Sequence, residues 1–403
     1  MWGDTLIVFR GTRFAVSRRS NVPHILRDIT AQEGRSWIPA LASLLFLLVP
    51  ITFAQNSQPN FDEAVLNATA AREQNDIPRA IELYSKAVQL NPKWADGWWF
   101  LGSLQYSVSN YSGARDSLTR YIELMPKAGP AIAMRGLCEF EIAEYKASLD
   151  DIQHGLLTGA ANQPRNEKIL RFHEAMLLTH EARFEDALHE YSSLAQFPNP
   201  EPEMIAGFGL AGLRTALLPR DILAGQRDVF LAAGQATYQF MAGHENDALP
   251  EFQALFRNFP STPNAHYLLG YLLFATDPDQ AVAEFKRELE LNPTNAPARV
   301  MLAWASLLQN NPSDALPLAQ SAVTDSPAIP GAQVVLGRAL METGDLKNGI
   351  DYLEKARQLE PDNLEVHLAL AKAYSKSGRK DDARHERMLC LQLTHGGTQA
   401  AHP

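Results

Sequence analysis

A proline that returns at a nearly constant interval is the feature that most constrains how this chain can fold. Pro92 and Pro126 lie 34 residues apart, and Pro293, Pro327 and Pro361 keep the same step in the second half of the chain. Between successive prolines, an apolar helical segment is followed by a polar turn and a second apolar helical segment. Because proline cannot extend a helix that reaches it, each interval is predicted to be a helical hairpin with a defined end. Such a hairpin cannot bury its apolar face alone, so successive hairpins are expected to stack.

Small residues recur where the two helices of a hairpin would have to approach closely. They occupy one position in the first helices and one position in the second helices. In the first helices they are Ala68, Gly102, Gly136, Ala236, Gly270, Ala303, Gly337 and Ala371. In the second helices they are Ala80, Ala114, Ala248, Ala281, Ala315 and Ala383. Because helices that pack about 8–10 Å apart leave room for little more than a methyl group, we expect closely packed helix pairs.

These features resemble the tetratricopeptide repeat family. The resemblance rests on the small residue preceded by leucine, the later alanine, the aromatic residue four positions after that alanine, and the closing proline. The leucines are Leu101, Leu269, Leu302, Leu336 and Leu370, and the aromatic residues are Tyr84, Phe252 and Phe285. The resemblance implies an all-α fold, a TPR-type α-solenoid in which helical hairpins form a right-handed superhelix. In this family the first helices line a concave groove that receives a peptide or a partner helix.

The repeat pattern also predicts how the chain is divided. The predicted parts are a signal peptide at 1–54, a short linker at 55–60, the solenoid at 61–396 and a tail at 397–403. Within the solenoid, clear repeats are expected at 61–128 and 229–396, and a degenerate middle part at 129–228. In that middle part Ser148 replaces the later alanine. Residues 201–228 are interpreted as either a degenerate unit or an inserted helix.

An uncharged apolar stretch precedes the repeats, with its apolar part between Ile38 and Phe53. These 16 residues would span about 24 Å as a helix, less than the roughly 30 Å hydrocarbon core of a bilayer. That length favours a secretory signal with an overlong amino-terminal region, cut before Gln55. The protein is therefore expected to be exported, periplasmic or secreted. The alternative is a membrane anchor through residues 38–53, and only an uncleaved signal would give the chain a membrane contact.

Charge and cysteine usage exclude several classes of protein. The chain has 36 basic and 46 acidic residues, a net charge of -10, and no basic stripe. Nucleic acid is therefore not an expected partner, because such binding depends on Lys and Arg at the phosphate backbone. The two cysteines, Cys138 and Cys390, lie in separate repeats. They support neither a disulfide framework nor a zinc site of thiolates.

The sequence contains no recognised catalytic motif. The protein is therefore predicted not to be an enzyme and to have no cofactor and no metal site. His173 and His180 are seven residues apart, whereas a zinc protease helix places its two histidines four residues apart. One alternative stays open: an enzyme whose site lies within 145–245 and uses carboxylates or histidines such as Glu167, His173 and His180.

Surface recognition is the function that the sequence favours. If each small residue marks the same position of its unit, the groove-facing residues are Trp99, Tyr106, Leu137, Phe140, Val300, Trp304, Arg338 and Lys372. Aromatic residues and arginine are the types that anchor protein interfaces. The chain is therefore predicted to be a non-catalytic exported scaffold that binds a protein or peptide partner. A membrane-anchored envelope-assembly factor is a further alternative, and the sequence leaves the oligomeric state open.

Overall fold

The computed structural model describes residues 58–399, with side chains described from residue 60 to residue 394. Within that range the chain forms 19 α-helices and no β-strand, which confirms the predicted all-α class. The helices fall into two compact units. Unit 1 ends at Leu194, and unit 2 begins at Ala195.

Unit 1 is a series of helical hairpins in which each helix packs mainly against its neighbours in sequence. Its helices are α1 (Gln58–Glu73), α2 (Ile77–Leu90), α3 (Ala95–Ser107), α4 (Tyr111–Leu124), α5 (Gly129–Glu141), α6 (Tyr145–Leu157), α7 (Pro164–His180) and α8 (Phe184–Leu194). The hairpins pair α1 with α2, α3 with α4, α5 with α6, and α7 with α8.

Unit 2 begins with a single helix and continues as hairpins. Its helices are α9 (Pro202–Gly212), α10 (Arg227–Met241), α11 (Glu245–Asn258), α12 (Ala265–Leu273), α13 (Pro278–Leu291), α14 (Ala296–Leu308), α15 (Pro312–Asp325), α16 (Pro330–Glu342), α17 (Leu346–Leu359), α18 (Leu364–Lys376) and α19 (Lys380–Gln399). Two short 3-10 turns, Pro219–Asp221 and Ala224–Gln226, join α9 to α10. From α10 onward the helices pair as consecutive hairpins.

The turns inside the hairpins are set by local side-chain chemistry. Asp76, Asp277 and Asp345 each precede a second helix and accept a hydrogen bond from a backbone N–H of its first turn, at 3.3, 3.0 and 3.3 Å. These bonds satisfy N–H groups that have no partner within the helix. Asn75 and Gly344, the residues before the caps Asp76 and Asp345, have left-handed backbones with φ of 59° and 99°. That conformation ends the first helix and lets the chain reverse.

The small residues bring the two helices of a hairpin into direct contact, as predicted. A Cβ atom on Gly102 would lie 2.9 Å from Cγ of Leu118, and one on Gly337 would lie 2.7 Å from Cγ of Leu353. Both distances are too short for two carbon atoms, so a side chain there would push the helices apart. The aromatic residues of the second helices fill the remaining space, since Tyr84, Phe252 and Phe285 are fully buried.

Residues 129–194, which belong to the part of the repeat pattern that is degenerate in sequence, still form regular hairpins. Ser148, in α6, takes the place of the expected alanine and is fully buried. Its hydroxyl donates a hydrogen bond to the carbonyl oxygen of Gly136 in α5, at 2.7 Å. A buried hydroxyl costs free energy unless it is paired, and this bond removes that cost. The small polar residue is therefore accommodated in the contact between the two helices.

Residues 201–228 contain helix α9, two 3-10 turns and the start of α10, so no second helix of a hairpin follows α9 in this range. Helix α9 packs closely against α10 through two glycines. A Cβ atom on Gly209 would lie 1.9 Å from the carbonyl oxygen of Phe230, and one on Gly234 would lie 1.8 Å from the carbonyl oxygen of Ile205. These distances show that the two backbones themselves are in contact.

Several predictions concern residues outside the described range. The predicted signal peptide at 1–54 and residues 55–57 of the linker lie there, as does the segment 38–53. Helix α1 begins at Gln58 and helix α19 continues to Gln399, so the described structure extends into both the linker and the predicted tail. None of the helices between residues 58 and 399 is both long and apolar enough to span a bilayer.

Candidate partner-binding surface

Four of the eight predicted groove residues lie in unit 1, and the structure buries all of them. They are Trp99, Tyr106, Leu137 and Phe140. The ring of Trp99 lies 5.5 Å from that of Tyr121 in α4, and the ring of Phe140 lies 4.8 Å from that of His173 in α7, measured between centroids. The expectation that these side chains face an open groove is therefore wrong for unit 1. Large rings on the first helices reach the neighbouring helices and are buried there.

The other four predicted residues lie in unit 2 and remain at least partly accessible. Val300, Trp304 and Arg338 are half-buried, and Lys372 is exposed. Trp304, Arg338 and Lys372 occupy the same position of the first helices α14, α16 and α18, 34 residues apart. Val300 lies one helical turn before Trp304. We call these four residues the unit 2 row.

A cation–aromatic contact joins the first two hairpins of the row. The guanidinium carbon of Arg338 lies 4.4 Å from the centroid of the Trp304 ring. The same guanidinium donates a hydrogen bond from Nη1 to Oε1 of Glu365 in α18, at 2.7 Å. Arg338 therefore bridges three successive first helices, and its position is fixed from both sides.

A second set of ionic contacts joins α16 and α18. Nζ of Lys372 donates to Oε1 of Glu342 at 2.7 Å, and Nζ of Lys376 lies 3.4 Å from Oε2 of the same carboxylate. The hydrogen bond from Lys372 lowers the pKa of Glu342, so this carboxylate is charged at neutral pH. All three side chains keep substantial solvent exposure, and the pairing therefore organises the surface more than it stabilises the fold.

Sequence reasoning missed a second line of residues beside the row. Leu308, Glu342 and Lys376 also lie 34 residues apart and fall one helical turn after Trp304, Arg338 and Lys372. The same repeat spacing that identified the first line could have identified the second. Leu308 is 63% exposed, which is unusual for a large aliphatic side chain. The surface thus offers an indole ring, an accessible leucine, cations and a carboxylate.

This arrangement is suited to recognition. An accessible apolar group beside fixed charged groups can bury part of a peptide and hydrogen-bond the rest. Among the described residues, no group of three or more His, Cys, Asp or Glu side chains is placed to hold a metal ion. Two histidines in unit 2 instead pair with buried carboxylates: Nδ1 of His266 with Glu284 at 2.7 Å, and Nδ1 of His367 with Glu386 at 2.6 Å. Each pair joins the two helices of one hairpin, α12 with α13 and α18 with α19.

The residues of the alternative enzymatic site are all on helix α7. Glu167 accepts a hydrogen bond from Nε of Arg171 at 2.9 Å. His173 is buried, and its Nδ1 lies 2.8 Å from the carbonyl oxygen of Ile169 one turn earlier. The ring of His180 lies 4.6 Å from that of Tyr145, between centroids. Each side chain thus has its own packing or ionic contact, and the structure does not bring the three together around a common point.

Family models confirm the repeat pattern. Two models, each described as tetratricopeptide repeat, match this chain. One matches residues 340–386, and the other matches residues 65–130, 234–277 and 272–332. The matched ranges include all of α3, α14 and α18, the first helices that carry Trp99, Tyr106, Val300, Trp304 and Lys372. Of α16 they include only the two ends, and Arg338 lies between the matched ranges.

Curated relatives share short parts of the chain. The cellulose synthase operon protein C of Xanthomonas axonopodis pv. citri (strain 306) is 31% identical over 133 residues, which are 31% of this chain and 9% of that protein. The human protein O-mannosyl-transferase TMTC1 is 42% identical over 55 residues, which are 14% of this chain and 6% of that protein. The chain therefore spans less than a tenth of the length of these relatives.

Solved structures similar to this chain include those of MamA. The MamA structure from Desulfovibrio magneticus RS-1 that covers residue 41 to the end is 23% identical, with a TM-score of 0.37 over 42% of this chain and 96% of that one. Another MamA crystal structure is 19% identical, with a TM-score of 0.35 over 41% of this chain and 96% of that one. From the residues that the family models match and the hairpins that those residues form, the chain belongs to the tetratricopeptide repeat family.

Proposed function

We propose that this protein is a non-catalytic scaffold that binds a protein or peptide partner through the unit 2 row. Tetratricopeptide repeats generally bind protein partners, and the family typically provides a scaffold for other proteins. The observation that carries the proposal is the alignment of Trp304, Arg338 and Lys372 on three successive first helices. Contacts between hairpins hold these side chains in place while leaving them accessible.

The chemistry of the row indicates how a partner would be held. The accessible part of Trp304 and the exposed side chain of Leu308 offer apolar contact, whereas Lys372 and Glu342 offer hydrogen bonds to polar groups. Because the charged side chains are already positioned by their neighbours, a partner would lose little of its binding free energy to ordering them. The buried residues of unit 1 would have no direct part in this contact.

Export to the periplasm or the medium is part of the proposal. It is supported by the apolar segment Ile38–Phe53 and the small residues before Gln55. A membrane-anchored form, kept in place through residues 38–53, is the alternative. Mass spectrometry of the protein purified from its native cells tests this point: a mature amino terminus at Gln55 supports export with cleavage, and an intact segment 38–53 contradicts it.

The binding proposal is tested by comparing two matched double variants of the full chain as bait in extracts of the native cells. The first, Trp304→Ala with Arg338→Ala, removes the cation–aromatic pair of the row. The control, Tyr352→Ala with Lys355→Ala, removes a similar pair on the second helix α17, where the Lys355 ammonium lies 4.4 Å from the Tyr352 ring centroid. We expect a specific partner to be retained by the wild type and the control and lost by the row variant. Equal retention by both variants would contradict the proposed surface.

A further inference from the structure

The first junction between hairpins of unit 1 shows which positions of a first helix contact the preceding hairpin. Phe100 and Leu104 lie two residues before and two residues after the small residue of α3. The Phe100 ring lies 5.5 Å from that of Tyr84, between centroids, and 3.9 Å from the guanidinium carbon of Arg72. Leu104 is buried in the same cluster. These two positions of a first helix therefore contact the preceding hairpin.

Helix α1 has the same positions but no described hairpin before it. The residues equivalent to Phe100 and Leu104 are Leu66 and Ala70. Leu66 is 70% exposed, and Ala70 is also exposed. Two exposed carboxylates, Glu63 and Glu73, continue the same side of the helix, since the spacing from 63 to 73 alternates between three and four residues. We call these four residues the leading face.

The other end of the repeat series leaves the complementary positions open. Leu368 in α18 is 48% exposed, whereas its equivalent one hairpin earlier, Val334, is buried in a cluster with residues of α18. Leu391 in α19 is 58% exposed, whereas its equivalent two hairpins earlier, Val323, packs against a buried cluster that includes residues of α16. Both leucines therefore lie where a following hairpin would make contact.

Two arginines alter the charge of this end. Arg384 and Arg387 in α19 are exposed and take the positions of Ile350 and Leu353 in α17, both of which are buried at a hairpin junction. Arg384 pairs with Asp381 of its own helix. We call Leu368, Leu391, Arg384 and Arg387 the trailing face. It presents leucines with cations, whereas the leading face presents a leucine with carboxylates.

We infer that the trailing face of one copy of this chain stacks on the leading face of a second copy. Helix α1 of the second copy takes the place that the first helix of a following hairpin would occupy. Leu66 meets Leu368 and Leu391, and Glu63 and Glu73 lie near Arg384 and Arg387. Opposite charges favour contact between a trailing face and a leading face. Contact between two leading faces is disfavoured, because the carboxylates of the two copies would repel one another. A contact between two different faces is repeatable, so copies would join head to tail.

Cysteine crosslinking between full chains that carry different tags tests this assembly. One chain carries Leu66→Cys and the other Leu391→Cys, and both are produced in the same cells and treated with a short bis-maleimide. Both positions are exposed, and the native cysteines Cys138 and Cys390 are buried. We expect a crosslinked dimer that carries both tags. A matched control replaces Leu391→Cys by Leu291→Cys, at a leucine that is 52% exposed but lies in α13, within the series.

Charge reversal then tests the selectivity. Arg384→Glu with Arg387→Glu in the Leu391→Cys chain is expected to lower the crosslink yield roughly tenfold, because like charges would face one another. Glu63→Arg with Glu73→Arg in the Leu66→Cys chain is expected to restore it. A yield no higher than that of the Leu291→Cys control, or a yield unaffected by charge reversal, would overturn the inference. Circular dichroism spectra of each variant serve as the control that these exposed substitutions leave the helices intact.

Discussion

The guanidinium carbon of Arg338 lies 4.4 Å from the centroid of the Trp304 ring, and the two residues are separated by one repeat of 34 residues. The fold makes this contact possible because equivalent positions of α14 and α16 lie side by side. An arginine over an indole face gains electrostatic attraction from the ring electrons, and the hydrogen bond to Glu365 holds the guanidinium from the other side. The pair therefore gives the proposed binding surface a fixed centre.

The first prediction concerns the free energy of that pair. A double-mutant cycle with Trp304→Leu and Arg338→Met is expected to give a coupling free energy of about 0.5–1 kcal/mol in urea unfolding of the full chain. Methionine keeps most of the apolar stem of arginine but removes the charge, so the cycle reports mainly the cation–aromatic attraction. A coupling of zero would show that the contact adds nothing to stability.

A second prediction follows from the contact between α9 and α10. Gly209→Ala would place a methyl carbon 1.9 Å from the carbonyl oxygen of Phe230, which is backbone and cannot rotate away. The helices must separate, and we expect the free energy of unfolding to fall by about 3 kcal/mol or more. Gly225→Ala is the control, since a Cβ there meets no atom within 4 Å. Equal stability of the two variants would contradict the close approach of these helices.

A third prediction concerns two hairpin turns with left-handed backbones. Ala182 has a φ of 60°, a conformation in which its Cβ is crowded by the backbone. Ala182→Gly is therefore expected to raise the free energy of unfolding by about 1 kcal/mol. Gly344→Ala should lower the free energy of unfolding by a similar amount, since φ is 99° at this position. A Cβ there meets no neighbouring atom within 4 Å, so the cost comes from the backbone conformation alone. Thermal unfolding of both variants measures these opposite shifts.

A fourth prediction concerns pH and the buried carboxyl group of Glu139 in α5. Burial, with a contribution from the charge of Asp151, raises the pKa of Glu139 from 4.5 to about 7. The folded chain thus keeps a proton that the unfolded chain releases, and the free energy of unfolding falls as pH rises from about 4.5 to about 7.

The variant Glu139→Gln cannot lose this proton. We expect it to match the wild type near pH 4 and to exceed it near pH 8 by up to about 3 kcal/mol. Urea unfolding at both pH values measures the difference. A variant less stable than the wild type near pH 8 would show that attraction to Arg135, whose Nε lies 3.8 Å from the carboxylate, outweighs the cost of burial.

The sequence predicts the hairpins of this fold well because each is defined by local signals that repeat. Two of these signals act within one or two helical turns: the closing prolines and capping residues such as Asp76 and Asp345. The third acts at a single contact between two helices, through small residues such as Gly102 and Gly337. The closing prolines and the small residues have the predicted role in the structure, and Asp76 and Asp345 cap second helices. The regular hairpins between residues 129 and 194 were harder to foresee. There Ser148 replaces the expected alanine, and no periodic pattern reveals its bond to Gly136.

The binding surface is less predictable, because repeat position alone does not determine exposure. Trp99 and Val300 occupy the same position of their first helices, yet Trp99 is buried and Val300 is only half-buried. The difference depends on the size of each side chain and on which neighbours it reaches, such as Tyr121 for Trp99. Those contacts depend on how each side chain packs against the other helix of its hairpin, which repeat position does not determine.

Photo-crosslinking in the native cells tests whether the unit 2 row binds a partner. A photoreactive amino acid replaces Lys372 in the unit 2 row of the full chain or, as a control, the exposed Lys347 on the second helix α17. We expect position 372 to form an adduct with a protein or peptide other than this chain. The adduct should be absent from position 347 and lost when Trp304→Ala and Arg338→Ala are added. No such adduct from position 372, or an equally abundant one from position 347, would contradict it.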